Sequence, residues 1–519
     1  MHTSCVHPGW YRCCIAHAEC QGLSVEGTLR AFGSSPPVEE EKCDSSSDDR
    51  GQPLGVEGDP EFSRLVSWAS KHVEATERAV AAGLNDVDEA QARLFARRFR
   101  AVFGILAQSN ALEAEIYRVA LLCRVLEVIS GPDPRALRVR ALCDFYYSQA
   151  ALLHHKSASL GQPVATLEER LRDARWDDIA PGIAHAHVKG LTDLGPVNLN
   201  LLRQREGHIQ TLDCRGENLV DLVRSRGAIA AVSGGFFLYS EPKIETPSAR
   251  GDPVGLLVGH RFRPPVFCRS AIVERRGRWS VETIGLNAVS VRLGENWVRI
   301  DATNEVGALG LKAVAFNRAW GRDVPWRNCI AIVGDRVVGG TEIPLAGFVL
   351  ALPSDRDCRM LLKGDLRVHY RMHDPMDAGM AGGPALLGAG ALNLRREDFA
   401  KTAPPVTFSQ DETFDQNLLP RMAAGVDLHG TLFFCAVDGR NFHRAPGLTL
   451  GMTARCMAAL GCVQAMNLDG GSSKRMVVGE RAVDLSSTEV HSGSAPIEPV
   501  EHEIRPVRSC ILMYSEARR

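Results

Sequence analysis

Ala465-Met-Asn-Leu-Asp-Gly-Gly-Ser-Ser473 reads as a short strand that runs into a turn. Two consecutive glycines let the backbone take left-handed angles and aim successive N–H groups at one point, a nest suited to an anion such as phosphate. Ser472 and Ser473 add hydroxyl donors beside it. Asp469 falls where a strand end meets a cavity, the place of a working carboxylate. The competing reading is an Asp that only accepts N–H bonds from its own turn. The same grammar recurs twice upstream. Ala230-Ala-Val-Ser-Gly-Gly-Phe-Phe237 is a strand, then Gly234-Gly235, then two aromatics for a sugar face or for core; Met380-Ala-Gly-Gly-Pro384 is a third strand-to-glycine turn. Three such turns predict one pocket floor built from backbone.

Around these turns the text past Pro163 is rich in glycine and carries short β runs. Val197–Leu202, Ala228–Val232, Pro253–Val258, Ser270–Val273, Cys329–Val333, Gly347–Leu352, Thr431–Val437 and Ala465–Leu468 are bounded by Gly, Pro, Asp or Asn. Helical spacing returns chiefly at Asn218–Arg224 and Thr449–Leu460. The expected class is α+β: a large mixed β-sheet domain with few helices, over 176–519. Ahead of it, residues 59–175 read as a small all-α bundle. Asp59-Pro60 caps a first helix, with Phe62, Leu65, Val66, Ala69 and Val73 at three- and four-residue spacing. Further helices are expected from Asn85-Asp86, from Asn110 with Glu113 as capping box, and from Asp133-Pro134 with a buried stripe of Leu137, Ala141, Phe145 and Leu152. Arg93, Arg97 and Arg100 share a face that is read as solvated charge. Residues 1–58, Ser-, Pro- and Gly-rich with five cysteines, are too poor in large apolar groups to offset ordering entropy and are expected to be disordered. Their Cys5, His7, Cys13, Cys14, His17, Cys20 cluster lacks the paired CxxC units of a zinc site.

Composition narrows the functional classes. The chain has 519 residues with 60 Lys+Arg against 62 Asp+Glu, so it lacks the basic excess that phosphate-backbone binding requires, and no nucleic-acid partner is expected. No run approaches the ~20 apolar residues of a membrane helix. The first residues show no apolar leader, and ten of the 15 cysteines, from Cys123 to Cys510, stand singly in apolar surroundings. A cytoplasmic, reducing setting is expected.

Two more strings carry candidate chemistry. Asp438 and Arg440 lie in Ala436-Val-Asp-Gly-Arg440, where Asp-Gly is also an ordinary hairpin signal. Arg421 precedes Met422-Ala-Ala-Gly425, and both guanidinium groups offer planar forks for a phosphodiester. Asp and Asn side chains near Asp469 could ligate calcium as readily as orient water.

Taken in order, Val232-Ser-Gly-Gly-Phe-Phe237, Pro253-Val-Gly255, Arg269, Gly382-Gly-Pro-Ala-Leu-Leu387, Pro420-Arg421, Val437-Asp-Gly-Arg440, Gly447-Leu-Thr-Leu450 and Asn467-Leu-Asp-Gly-Gly471 resemble the landmarks of the phosphodiester glycosidase family. The resemblance implies hydrolysis of the bond between a sugar's anomeric carbon and a phosphate diester, with a carbohydrate-phosphate substrate. It points to Asp469 and Asp438 as the carboxylates and to Arg421 and Arg440 as phosphate clamps. Gly470, Gly471 and Ser472 would form the anion nest, and Asn467, Gly234, Gly235 and Gly383 would line the binding surface. The chain departs from the family at Ser233 (usually Asn), Met452 (usually Glu) and Ser472 (usually Gly), and from its frequent secreted or lumenal habit. Those departures motivate a second expectation, a catalytically silent phosphosugar- or glycan-binding module; a scaffold acting through the helical bundle is the third.

Overall fold

The computed structural model describes residues 60, 67, 73–84, 89–108, 112–130, 135–158, 164–237, 253–259, 262–338, 342–344, 346–354, 367–394, 416–487, 489–491 and 505–515. The arm 1–58 with its Cys/His cluster lies outside the described residues, as do Phe62, Leu65, Val66 and Ala69 of the first expected helix. The chain divides into two compact units after Ala158, with Val490–Ser492 grouped with the first.

The first unit contains the helices Val73–Gly83, Glu89–Gln108, Leu112–Ser130 and Arg135–Ala158, joined by the short connections that make neighbours antiparallel. Phe95, Phe99, Val102, Phe103 and Leu106 form the buried face of the second helix and recur at three- and four-residue spacing. On the opposite surface Arg93 pairs with Glu89 at 2.6 Å and Arg100 with Glu77 at 3.2 Å, both among exposed groups. The last helix corrects the expected stripe. Val139, Cys143, Tyr147 and Ala150 are fully buried, whereas Leu152 is 38% exposed. Positions 139 and 141 differ by about 200° around a helix.

The second unit is α+β, and among the described strand pairs all are antiparallel except Ala302–Thr303 with Val314–Phe316. Its main sheet has eight strands in the order Trp176–Ala180, Ile183–Thr192, Gly195–Gln204, Leu432–Val437, Arg421–Val426, Gln464–Asn467, Ala385–Gly388, Ala391–Leu392. Strand periodicity sorts its side chains into two cores. Phe433, Cys435 and Val437 pack with Leu167 and Leu171 of the helix Leu167–Arg172 and with Ala454 and Met457 of the helix Leu450–Ala459. Leu432, Phe434 and Ala436 point the other way, toward Val232, Ile511 and Met513 of a five-stranded sheet and Ile272 and Met380 of a four-stranded one.

Three- and five-stranded sheets between Val289 and Met372 form a further layer around Val291, Ile332, Phe348 and Leu350. The two expected helices of this unit form with their caps: Asn218 accepts from the Val220 N–H and Thr449 from the Met452 N–H. The nine described cysteines are thiols outside any disulfide, and all but Cys268 are buried. Among the described residues no helix is long and apolar enough to cross a membrane.

The bundle's rotation is testable by contrast. Tyr147→Ala should cost about 3 kcal/mol or more of stability, and Leu152→Ala under about 1 kcal/mol. Urea unfolding followed by circular dichroism measures both; equal losses would contradict the buried face described above.

Candidate active site

Backbone packing assembles the site. The three glycine turns meet one another: the Asp469 N–H donates to the Gly234 carbonyl at 3.0 Å, and the Gly383 N–H to the Asn467 carbonyl at 2.7 Å. A Cβ on Gly235 would sit 1.9 Å from the Ala381 carbonyl oxygen, and one on Gly470 would sit 2.5 Å from that of Pro420. Any larger residue would force these strands apart. The glycines therefore serve the close approach of the chain to itself. Gly471, at φ 56°, donates its N–H to the Pro420 carbonyl at 2.8 Å, and the Ser473 N–H bonds the Gly470 carbonyl. The Gly471 amide of the expected anion nest, and the Ser473 amide beside it, are thus held by the protein's own oxygens.

The charged residues gather on these turns. Among the described residues of the second unit, the buried charged side chains are Arg269, Arg421, Asp438, Arg440, Asp469, Lys474, Arg475 and Asp484, none more than 4% exposed. Arg269 heads the strand Arg269–Arg275, whose Ser270 carbonyl accepts from Gly382, and its guanidinium carbon lies 5.8 Å from the Phe236 ring centroid. Arg421 begins the strand Arg421–Val426 beside the Gly470 backbone. Its guanidinium donates to the carbonyls of Leu448 at 3.1 Å and Asn417 at 2.9 Å. Arg440, in the left-handed region at φ 61°, donates to the Ser487 carbonyl at 2.8 Å.

Asp438 stands apart from Arg421. Arg421 pairs across the strands with Val437 and shares its face, so Asp438, one residue on, takes the other face. There its carboxylate accepts from Lys474 Nζ, from Asn198 Nδ2 and from the Leu485 N–H. Lys474 also contacts Asp484 at 2.8 Å and donates to the Leu485 carbonyl; Asp484 in turn takes Arg475 at 3.3 Å and the Met476 N–H at 2.7 Å. Burial pushes the Asp438 carboxyl above its ordinary range; the neighbouring Asp484 charge pushes the same way, against Lys474 and the Asn198 bond.

Calcium fits this set poorly. An ammonium already stands between the two acids, and among the described residues no group of three His, Cys, Asp or Glu side chains is placed to hold a metal ion. Asn467 uses its Nδ2 on the Gly383 carbonyl, while its buried Oδ1 has no partner among the described residues, an acceptor that ordered water or a ligand hydroxyl would satisfy.

Ser233, in place of the family's usual Asn, accepts from the Arg475 N–H at 3.0 Å, and Met452 packs against the apolar cluster beneath the helix Leu450–Ala459. Sequence reasoning missed Lys474, Arg475, Asp484 and Asn198. The available signal was Asp484 beyond the apolar hairpin Met476–Val478/Arg481–Ala482, which folds it back onto the two basic residues.

Among known families, the model of the phosphodiester glycosidase family matches residues 352–514, the family that the sequence landmarks resemble. The match takes in the landmarks from Gly382 to Gly471; those at 232–237, 253–255 and 269 lie outside it. No curated protein matches the chain. Among solved structures it is similar to a hypothetical protein from Synechocystis, at 18% identity and TM-score 0.42 over 65% of this chain and 63% of that one. A putative exported protein from Burkholderia pseudomallei matches at 20% identity and TM-score 0.40, over 63% of this chain and 75% of that one. The catalytic domain of zebrafish N-acetylglucosamine-1-phosphodiester alpha-N-acetylglucosaminidase, auto-inhibited by its pro-peptide, matches at 13% identity and TM-score 0.37, over 69% and 87%. The chain spans less than two thirds of the first of these.

Lys474→Met should destabilise the second unit by about 3–5 kcal/mol, because Asp438 and Asp484 would then face each other buried without their shared cation. Adding Asp438→Asn should recover part of the loss, a coupling read from urea midpoints of the two single variants and the double. Strict additivity would mean that the three groups do not act as one network.

Proposed function

We propose that the protein hydrolyses a sugar-1-phosphodiester, breaking the bond from the anomeric carbon to phosphate oxygen and releasing a free sugar and a phosphomonoester. The observation that carries this is the burial of five cations and three carboxylates in one unit, with Asp469 on a glycine turn and Lys474 and Arg475, a few residues on, linked to Asp438 and Asp484. Fixed positive charge in a dry site stabilises the leaving phosphate, and a carboxylate stabilises the oxocarbenium-like transition state. Asp469 is the working carboxylate: it lies two residues past the strand Gln464–Asn467 and next to Gly470, whose backbone packs against that of Arg421. It takes the proton of the attacking water as the new C–O bond forms. Asp438, held by three donors, anchors Lys474 and so fixes the turn that carries Asp469. Arg421 and Arg440 act through the field of their charges; Arg421 donates to the Leu448 and Asn417 carbonyls and Arg440 to that of Ser487. Because a phosphate leaves readily, little general-acid help is required.

Met452 favours a second function. With an apolar side chain where the family usually carries Glu, the same cation-rich site would bind a phosphosugar without turning it over.

Release of sugar from a synthetic sugar-1-phosphodiester decides between them. Wild type should turn over, and Asp469→Asn should lose about 10²–10⁴ of the rate with the fold retained. Calorimetric binding of the same compound without turnover would establish the binding module instead. Failure of both, with a partner protein retained on residues 59–158, would point to the scaffold.

A further inference from the structure

The buried arginines cannot meet a ligand arriving from solvent without rearranging the turns that enclose them, since Arg269, Arg421, Arg440 and Arg475 are each 2% exposed or less. Arg505 is placed differently. It lies two residues ahead of the last strand, Val507–Tyr514, and is only partly buried. Its Nη1 donates to Ser472 Oγ at 2.6 Å, on the short helical turn Gly471–Ser473 that directly follows Asp469-Gly470. Its guanidinium carbon lies 5.9 Å from the ring centroid of Phe237, and that of Arg508 lies 6.0 Å from the same ring. Phe237 closes the Gly234-Gly235 turn, whose Gly234 carbonyl takes the Asp469 N–H. One guanidinium therefore bridges two of the three glycine turns at the margin of the site.

We infer that Arg505 reads the phosphate group of the ligand, in partnership with Ser472. This deepens the proposed function and rests on it for the ligand's identity. The chemistry follows from the bond already made. A hydroxyl that accepts from a guanidinium has its lone pair engaged and turns its own proton away, so Ser472 is set to donate to an oxyanion lying beside Arg505. The Arg505 guanidinium lies within cation–π range of the Phe237 ring, and a planar fork grips two phosphate oxygens at once. Arg508, on the same ring, donates to the Arg215 carbonyl and adds positive charge at the margin. The usual family glycine at 472 has no hydroxyl to offer, so this pairing belongs to the present chain.

Inorganic phosphate titrated calorimetrically into the full chain is the test, because it needs no turnover. Arg505→Ala should weaken phosphate binding by about tenfold or more, and Arg505→Lys should restore only part of it, since an ammonium is a point charge. Ser472→Ala should weaken binding severalfold with the arginine still present, and it keeps the test alive should Arg505→Ala fold poorly. Equal phosphate affinity in wild type and Arg505→Ala, or no phosphate binding by wild type, overturns the assignment. Sugar release assayed in parallel separates the two claims: phosphate binding that depends on Arg505 without hydrolysis by wild type retires the enzymatic function and leaves Arg505 as the anion reader. Hydrolysis that is indifferent to Arg505, with unchanged phosphate affinity, does the reverse.

Discussion

The ammonium of Lys474, clasped between Asp438 and Asp484 with none of the three measurably open to water, is the interaction on which the site depends. Taking such charges out of water costs several kcal/mol for each ion, and only mutual attraction with complete hydrogen bonding offsets it. Here the offset is nearly complete. Asp438 adds Asn198 and the Leu485 N–H, and Asp484 adds Arg475 and the Met476 N–H. The network also ties sheets together: Asp438 ends a strand of the eight-stranded sheet, whereas Lys474 and Arg475 lead into a strand of the five-stranded one. A buried ion group adds little stability in itself, but it penalises every arrangement in which one member is misplaced. That penalty fixes the register of the turn 469–475 against both sheets.

Glycine makes this geometry reachable. Strand-end turns meet their neighbours at Gly235 against Ala381 and at Gly470 against Pro420, with distances that admit no Cβ. The contacts place backbone amides on backbone carbonyls, so the turns are satisfied internally and rigid. A rigid floor orients Asp469, whose amide is pinned to Gly234, better than an open nest would. In the proposed function, anion recognition falls to side chains, with the buried cations supplying a field and Arg505 and Ser472 supplying direct donors.

Much of the frame was legible because its causes are local. The strand Cys329–Val333 appears with the bounds its apolar run implied, and the caps Asn218 and Thr449 start their helices where polar residues precede apolar spacing. The glycine pairs marked the right turns for a different reason from the one first assigned to them. What stayed hidden is long-range. Lys474 after Ser473 has the look of solvated charge, and nothing nearby shows that Asp438, 36 positions away, is its partner. Asn198 lies 240 positions from the same carboxylate, in a strand whose alternation gives no hint of a buried amide with a task. Arg421 and Asp438 were grouped by residue type, and only the pairing of Arg421 with Val437 reveals that consecutive residues put them on opposite faces.

Depth therefore divides the labour among the basic residues. A guanidinium at 0–1% exposure, such as Arg421 or Arg440, has its geometry set by carbonyls of the fold and cannot swing toward a ligand. Its charge nonetheless acts through a medium of low effective dielectric, where a fixed cation stabilises developing negative charge without reorganisation. A guanidinium at the margin has the opposite virtues: its charge is screened, yet its donors meet the anion first and set its orientation. Arg505 is tethered to Ser472, within three residues of Asp469, and so links the margin of the site to the turn that carries the carboxylate. The same tether explains why Ser472 can replace a glycine in this chain: its side chain has a cationic partner waiting, so the added hydroxyl at 7% exposure is hydrogen-bonded and not stranded.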